Sequence, residues 1–424
     1  MPVSVVLGGQ WGDEGKGKIV DTLCADVDIV ARFQGGANAG HTIYHGDTKL
    51  VLHQLPSGIL KEDALCLLGH GMVIDPTALL QEIADLEAQG FSIRPRVMIS
   101  PQATVITHYH RELDRLQEEA RSGNTQIGTT RKGIGPAYSD HVNRIALKAW
   151  TLSDPALMKE YLLGQKKLCL NTYGSRALHA LDTDLLDSEF LTAAAAAEPM
   201  VRDFSRMLLQ AVDHKKNILV EGAQGLLLDL NYGSYPFVTS SFTGTAGIMA
   251  GLPLSFRDID RVSGIFKAYT TRVGNGPFPT EQDNEIGRKL RDGGFEYGAT
   301  TGRPRRCGWF DAVLARYSVR LNGISDMIMT KIDVLNDFPE IKVATAYSID
   351  GQTRDDAYGL MHRLQDVKPV YETLPGWMSD LTGIRSFRDL PAETRRFVEF
   401  TEENCHARIS LISTGMKRDE LVQR

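Results

Sequence analysis

Residues 3–18 read Val-Ser-Val-Val-Leu-Gly-Gly-Gln-Trp-Gly-Asp-Glu-Gly-Lys-Gly-Lys. Val3 to Leu7 is a nearly continuous apolar run, as in a strand buried on both faces of a parallel sheet. The run empties into glycines, which let backbone N–H groups turn towards an anion. Lys18 to Ala25 reads as the following helix, and a helix N-terminus adds a favourable dipole at the same place. Lys16 and Lys18 supply mobile positive charge, and Asp13 a carboxylate. A strand that feeds a glycine loop and then a helix predicts an α/β fold, with ligands at the carboxyl ends of the strands.

The alternation continues along the chain. Buried strands are predicted at Ile29 to Phe33, Ala64 to Leu68, Val97 to Ile99, Ile218 to Val220, Val262 to Ala268, Met327 to Thr330 and Ile341 to Tyr347. Helical periodicity marks Pro76 to Gln89, Tyr109 to Arg121, Met200 to His214 and Gly308 to Asn322, with Pro199 suited to the start of the third. The expected architecture is a large, mainly parallel central sheet flanked by helices, like that of the P-loop NTPases, with loop and helical insertions. No repeat and no Pro/Ser-rich hinge interrupts the chain, so residues 1–424 are expected to form a single domain with insertions. The Ala193 to Ala197 tract reads as helix. Asp182 to Pro199 and Asp350 to Val367 carry no motif.

A chain of 424 residues that is 42% hydrophobic can bury a substantial core. Its net charge of -6 argues against a general nucleic-acid or membrane-surface binder. Cys24, Cys66, Cys169, Cys307 and Cys405 are scattered without a CxxC pair or metal-ligand spacing, which favours reduced thiols in a cytoplasmic setting. The N-terminus lacks the pattern of a signal peptide, and no apolar stretch is long enough to cross a bilayer.

Gly12 to Lys18 keeps the GxxxxGK spacing of a Walker A loop, but Ile19 stands where a metal-binding Ser or Thr would be. A metal must then find another ligand, and Asp13 is the candidate. Taken alone, the loop could be a tight structural turn. A second glycine loop, Gln34 to Thr42, follows another strand. His41 by itself would more often be structural. Two glycine loops at the ends of two early strands favour a shared pocket, where Asp13 offers a base and His41 an acid for proton-coupled phosphoryl transfer. Gly298 to Arg306 is a compact basic loop whose arginines suit forked recognition of a dicarboxylic amino acid. It is short and lacks the aromatic interleaving of a nucleic-acid patch. Thr330 to Asp333, TKID, resembles the guanine-reading motif of GTPases, or else is a strand-end turn. A phosphate loop and TKID would also suit a GTP-binding switch or scaffold, which leaves Asp13, His41 and the arginine loop without purpose.

The motifs GQWGDEGKGK (9–18), QGGANAGHT (34–42), IGTTRKGIGPAY (127–138), EGAQG (221–225), YPFVTSS (235–241), KAYTTRVGNGPFPTE (267–281), GATTGRPRRCGW (298–309), TKIDVL (330–335) and ISTG (412–415) resemble, in order, those of the adenylosuccinate synthetases. The resemblance covers essentially the whole chain. It departs from the family pattern at Gly9, where threonine is common, at Ala37, where histidine can occur, and at Pro304, which interrupts a run of arginines.

The resemblance implies a GTP-dependent ligase that joins L-aspartate to IMP through a 6-phosphoryl-IMP intermediate, giving adenylosuccinate, GDP and phosphate on the route to AMP. It implies catalytic roles for Asp13, His41, Gln224 and Lys16, and one Mg²⁺ per subunit on Asp13 and the carbonyl of Gly40. GTP would meet Gly12, Asp13, Glu14, Gly15, Lys16, Gly17, Lys18, Gly40, His41, Thr42, Arg305, Lys331, Ile332, Asp333, Ser413, Thr414 and Gly415. IMP would meet Asp13, Glu14, Gly15, Lys16, Asn38, Ala39, Gly40, His41, Thr130, Gln224, Thr239 and Arg303. Arg144, which by context alone reads as a solvated surface charge, would reach IMP in the neighbouring active site of a homodimer. L-Aspartate would meet Ala299, Thr300, Thr301, Gly302, Arg303, Pro304 and Arg305. The loops Gly123 to Arg131 and Gly298 to Arg306 are expected to order on ligand binding. No nucleic acid or membrane is expected as a partner.

Overall fold

The structure, a computed structural model, describes residues 3–46, 48–121, 126–174, 177–178, 182–298 and 302–424. Its centre is a sheet of ten strands. Across it run Leu421–Gln423, Ile409–Ser413, Asp326–Thr330, Arg261–Lys267, Val3–Gly8, Ile218–Glu221, Ile29–Gly35, Leu65–Ile74 and Val97–Ile99, with Thr104–Val105 also paired to Leu65–Ile74. Every pairing is parallel except that of Leu421–Gln423 with Ile409–Ser413. The opening strand lies near the middle, as its unbroken apolar run predicts.

Both faces of that strand are buried. Val3, Val5 and Leu7 enter one core with Phe33, Val220 and Phe266. Val6 turns to the other face and packs with Ile19 and Val20 of the helix Lys16–Leu23. Fully burying side chains of this size stabilises by about 1.5–3 kcal/mol each. The helix begins two residues before the predicted Lys18, directly after Gly15 in the left-handed region at φ 83°. A further core is built from Pro76–Glu87, His108–Ala120, Pro155–Tyr173 and Thr183–Ala197, where Ile83, Leu113, Leu162 and Ala194 meet. Pro155–Tyr173 and Thr183–Ala197 are helical additions of the expected kind, and the second holds the alanine tract and much of the motif-free segment 182–199.

Three predicted elements are placed differently. The helix expected from Met200 begins at Ser205, where the Asp203 carboxylate accepts the Ser205 N–H at 2.9 Å; Pro199 sits in a separate 3₁₀ turn, Glu198–Met200. The helix expected from Gly308 begins at Ala312, because Asp311 caps it through the Leu314 N–H at 3.0 Å and the preceding residues form the short strands Arg306–Gly308 and Phe310–Asp311. Ile341 to Tyr347 is a strand, but of a separate four-stranded sheet, antiparallel to Lys368–Pro375. Its alternation of buried and half-exposed residues marks a strand covered on one face, unlike the central strands.

The carboxyl ends of the central strands converge on one edge. There Gly9 explains itself: a Cβ would stand 2.1 Å from the Phe266 ring. Gly9→Ala is expected to cost about 1–3 kcal/mol by overpacking. A lower urea midpoint at unchanged slope, partly restored by adding Phe266→Leu, is the result to look for.

Candidate active site

At that edge opens a cleft of about 580 Å³, lined by residues from both glycine loops and from the ends of several strands. The first loop is wound through Gly12 at φ 83°, Asp13 at φ 59° and Gly15 at φ 83°. A left-handed aspartate is costly and persists where surrounding contacts hold it. Those contacts come from Glu14, whose buried carboxylate accepts the N–H of Gln10 at 3.0 Å and of Gly12 at 2.9 Å. Its second oxygen pairs with Lys16. Glu14 therefore faces the interior of its own loop and does not line the cleft, contrary to the ligand contact expected of it. Asp13 is 31% exposed and does line it.

The second loop delivers Asn38, Ala39, Gly40, His41 and Thr42 to the same cleft. The His41 Nδ1 is hydrogen-bonded to the fully buried carboxylate of Glu221, at the end of strand Ile218–Glu221. Glu221 also accepts the Ser57 hydroxyl and the Ser57 N–H, each at 2.7 Å. With Nδ1 engaged, Nε2 is the ring nitrogen left for a ligand. Burial lowers the His41 pKa against the pull of Glu221, so the resting imidazole is neutral at pH 7. Glu221 stays ionised despite burial, held low by His41, Arg32 and Ser57.

A third wall comes from Thr330, Lys331, Asp333, Ser413 and Gly415. Asp333 presents a buried oxygen, Oδ1, with no hydrogen-bond partner. An orphaned acceptor at a cleft wall fits a ligand that brings the missing donors. Burial raises the Asp333 pKa. Lys18 does not act as a loose charge. Its Nζ bonds Ser413 Oγ at 2.8 Å, Gly415 O at 2.7 Å and Glu420 O at 3.1 Å, and so ties the first helix to this wall. Burial brings its pKa down to about 8. Ile332 and Thr414 are buried behind the wall and do not line the cleft.

Arg305 crosses the cleft. Its Nε lies 2.9 Å from Asp13 Oδ2, and its NH1 donates to Glu296 at 2.6 Å. Gln224, left-handed at φ 57°, lines the cleft with its Oε1 buried and unpartnered. Thr130 and Thr239 line it as well. Arg144, Gly302, Arg303 and Pro304 are exposed and do not. Ala299, Thr300 and Thr301 lie outside the described residues, as do residues 123–125 of the expected mobile loop. Pro304 is accommodated because it faces Tyr297 across a bridge whose bonds are made by its neighbours, Gly298 to Arg303 and Arg305 to Glu296, both 2.9 Å. Glu221, Ser57, Lys267 and Glu296 were not singled out from sequence. Trp11, whose ring sits 5.1 Å beneath the Arg272 guanidinium, also lines the cleft.

The sequence profile of the adenylosuccinate synthetases matches residues 5–422. The chain belongs to that family. An adenylosuccinate synthetase of Salinibacter ruber is 46% identical over 433 residues, spanning 100% of this chain and 98% of that protein. One from Leifsonia xyli is 44% identical over 428 residues, spanning 100% and 97%. The fully ligated adenylosuccinate synthetase of Plasmodium falciparum superposes with a TM-score of 0.91 at 34% identity, with 100% of each chain covered. A succinoaminodeoxyadenylate synthetase of cyanophage S-2L shares the fold at a TM-score of 0.61 and 21% identity. The enzyme therefore ligates L-aspartate to IMP at the expense of GTP, on the route to AMP. A GTP switch without ligase activity is not favoured.

The reading of guanine by the Asp333 oxygen, proposed below, has a definite pH signature. Only the ionised carboxylate can accept two donors from one base edge. Because burial raises this pKa, the ionised form is lost, and affinity falls about tenfold per pH unit, from a point above the ordinary 3.8. Calorimetric GDP titrations across acidic pH are expected to show this limb, and Asp333→Asn to remove it along with most of the affinity.

Proposed function

We propose that Asp13 removes the N1 proton of IMP while His41, which takes up a proton at Nε2 as the anionic phosphates arrive, donates to the phosphoryl group passing from GTP to O6. The aspartate amine then displaces phosphate from 6-phosphoryl-IMP. The observation that carries this reading is the meeting, in one cleft, of a left-handed Asp13, a His41 tautomer set by Glu221, and the orphaned Asp333 oxygen. Asp333 accepts from guanine N1–H and the exocyclic amine, donors that adenine does not offer, so ATP would leave its buried oxygen unpaired. Lys331 lies along the base, and Ser413 and Gly415 close the pocket around it.

Lys16 lies at the start of the first helix, where phosphate charge meets the helix dipole. Its ammonium keeps Glu14 and turns its remaining N–H donors to ligand phosphate as GTP enters. Asn38, Thr130 and Thr239 take the 5′-phosphate of IMP, and Gln224 donates its amide to the purine near O6. Arg305, freed from Asp13, turns to the carboxylate of L-aspartate, with Thr301 and Arg303 completing that subsite. The Asp13 carboxylate and Gly40 carbonyl are hard oxygen donors lining the cleft, which fits one Mg²⁺ per subunit completed by water and phosphate oxygens. When bound, that ion neutralises charge on the phosphates.

The same reading makes the chain a cytoplasmic homodimer, each subunit one domain with insertions, in which Arg144 serves the partner's cleft. Arg144 caps the helix Ile134–Asn143, whose first turn lines this subunit's cleft, and is flanked by Val142 at 76% and Ile145 at 53% exposure. An apolar pair so exposed suits a subunit interface.

Product formation should require IMP, GTP, L-aspartate and Mg²⁺ together. Asp13→Ala should lower turnover by about 10²–10⁴-fold, the range for a lost general base, with the fold intact by circular dichroism. GTP hydrolysis that ignores IMP and aspartate would sink the reading.

A further inference from the structure

Glu296 is fully buried at the neck of the loop that carries Arg303 and Arg305. Its carbonyl accepts the Arg305 N–H at 2.9 Å. One carboxylate oxygen accepts Arg305 NH1 at 2.6 Å. The other takes Lys331 Nζ at 2.7 Å, Lys267 Nζ at 2.9 Å and the Tyr269 hydroxyl. Lys331 is fixed a second time by Gly294 O at 2.7 Å. Lys267 and Tyr269 are buried and do not line the cleft, so they steady the carboxylate from behind. Burial alone would push the Glu296 carboxyl up, but the charges of Lys267, Lys331 and Arg305 hold it well below the usual range, and it is ionised throughout the working pH.

One buried anion thus holds two cations that reach opposite substrates. Arg and Lys side chains lose much rotamer freedom when they bind a ligand, and fixing them beforehand removes that cost. The IMP phosphate contacts at Asn38, Thr130 and Thr239 have no bond to Glu296. We propose that Glu296 is a positioning residue that pre-orients Lys331 for the guanine base and Arg305 for L-aspartate, tying affinity for these two substrates, but not for IMP, to a single carboxylate. The proposal rests on the roles given above for Lys331 and Arg305.

The test is steady-state kinetics with each substrate varied in turn. Glu296→Gln should raise KM for GTP and for L-aspartate by about tenfold each, the loss expected of a charge-assisted hydrogen bond, with KM for IMP within about threefold of the parent. Tyr269→Phe keeps every charge and should give the same two-substrate pattern at about threefold. If Glu296→Gln does not fold, Tyr269→Phe decides. A uniform rise in all three KM values, or a fall in melting temperature with no change in any KM, would overturn the positioning role. A wild-type enzyme whose turnover ignores IMP or L-aspartate would instead defeat the underlying reading before any variant is made.

Discussion

A carboxylate taken out of water must be met by donors, and the working edge of this sheet is organised around that requirement. Glu14, Glu221 and Glu296 are all fully buried. Each stands behind a group that lines the cleft: Glu14 behind Lys16, Glu221 behind His41, and Glu296 behind Arg305 and Lys331. Removing one partner of such a pair leaves an uncompensated buried charge, costing about 3–5 kcal/mol. The arrangement is therefore rigid, and it fixes side chains that would otherwise be long and mobile.

The parallel register makes this possible. Val6 and Arg32 both pair with Glu221, from the strands on either side. The Glu221 carboxylate thus sits between the phosphate loop's strand and the strand that leads to His41. In the same way Thr330 is in register with Lys267, which brings the guanine wall beside the lysine that steadies Glu296. In none of these pairs are the two strands consecutive in the chain. The backbone around them is held off its comfortable conformations, with Asp13, Gln224 and Lys331 all left-handed. Each costs on the order of 1–2 kcal/mol, offset by the packed sheet beneath. In the resting enzyme Arg305 lies against Asp13, and that contact gives way before the proposed base takes a proton.

Much of this was legible in the sequence. The apolar run Val3 to Leu7, the glycines after it and the alternation of strands with helices sufficed for the α/β fold and for the edge at which the cleft opens. Asp13, His41 and Asp333 were named from motif chemistry and Gln224 from the family resemblance, and all four line the cleft. What was hidden is what depends on burial and register. Glu221 and Glu296 read as ordinary charged residues, because a sequence does not display which carboxylates lose water. Glu221 did carry a signal, since it directly continues the apolar run Ile218 to Val220. Glu14 was taken for a ligand contact because the motif shows its presence and not its direction, whereas Lys18 does line the cleft. A cap moved the helix start at Ala312, where Asp311 accepts the Leu314 N–H; at Ser205 the Asp203 carboxylate takes the first helical N–H from ahead of the N-cap position, which Phe204 holds without a side-chain bond.

The claim on which the account turns is that Asp13 and His41 transfer phosphate to IMP before aspartate reacts. GTP carrying ¹⁸O in the bridge between its β and γ phosphorus atoms, incubated with enzyme, Mg²⁺ and IMP but no L-aspartate, tests it most directly. Reversible transfer to IMP frees the β-phosphate to rotate, so the account predicts that label migrates to non-bridging positions, and that it does not in Asp13→Ala or His41→Asn. Absence of migration in the wild-type enzyme until L-aspartate is added, or migration that proceeds equally well without IMP, would contradict it.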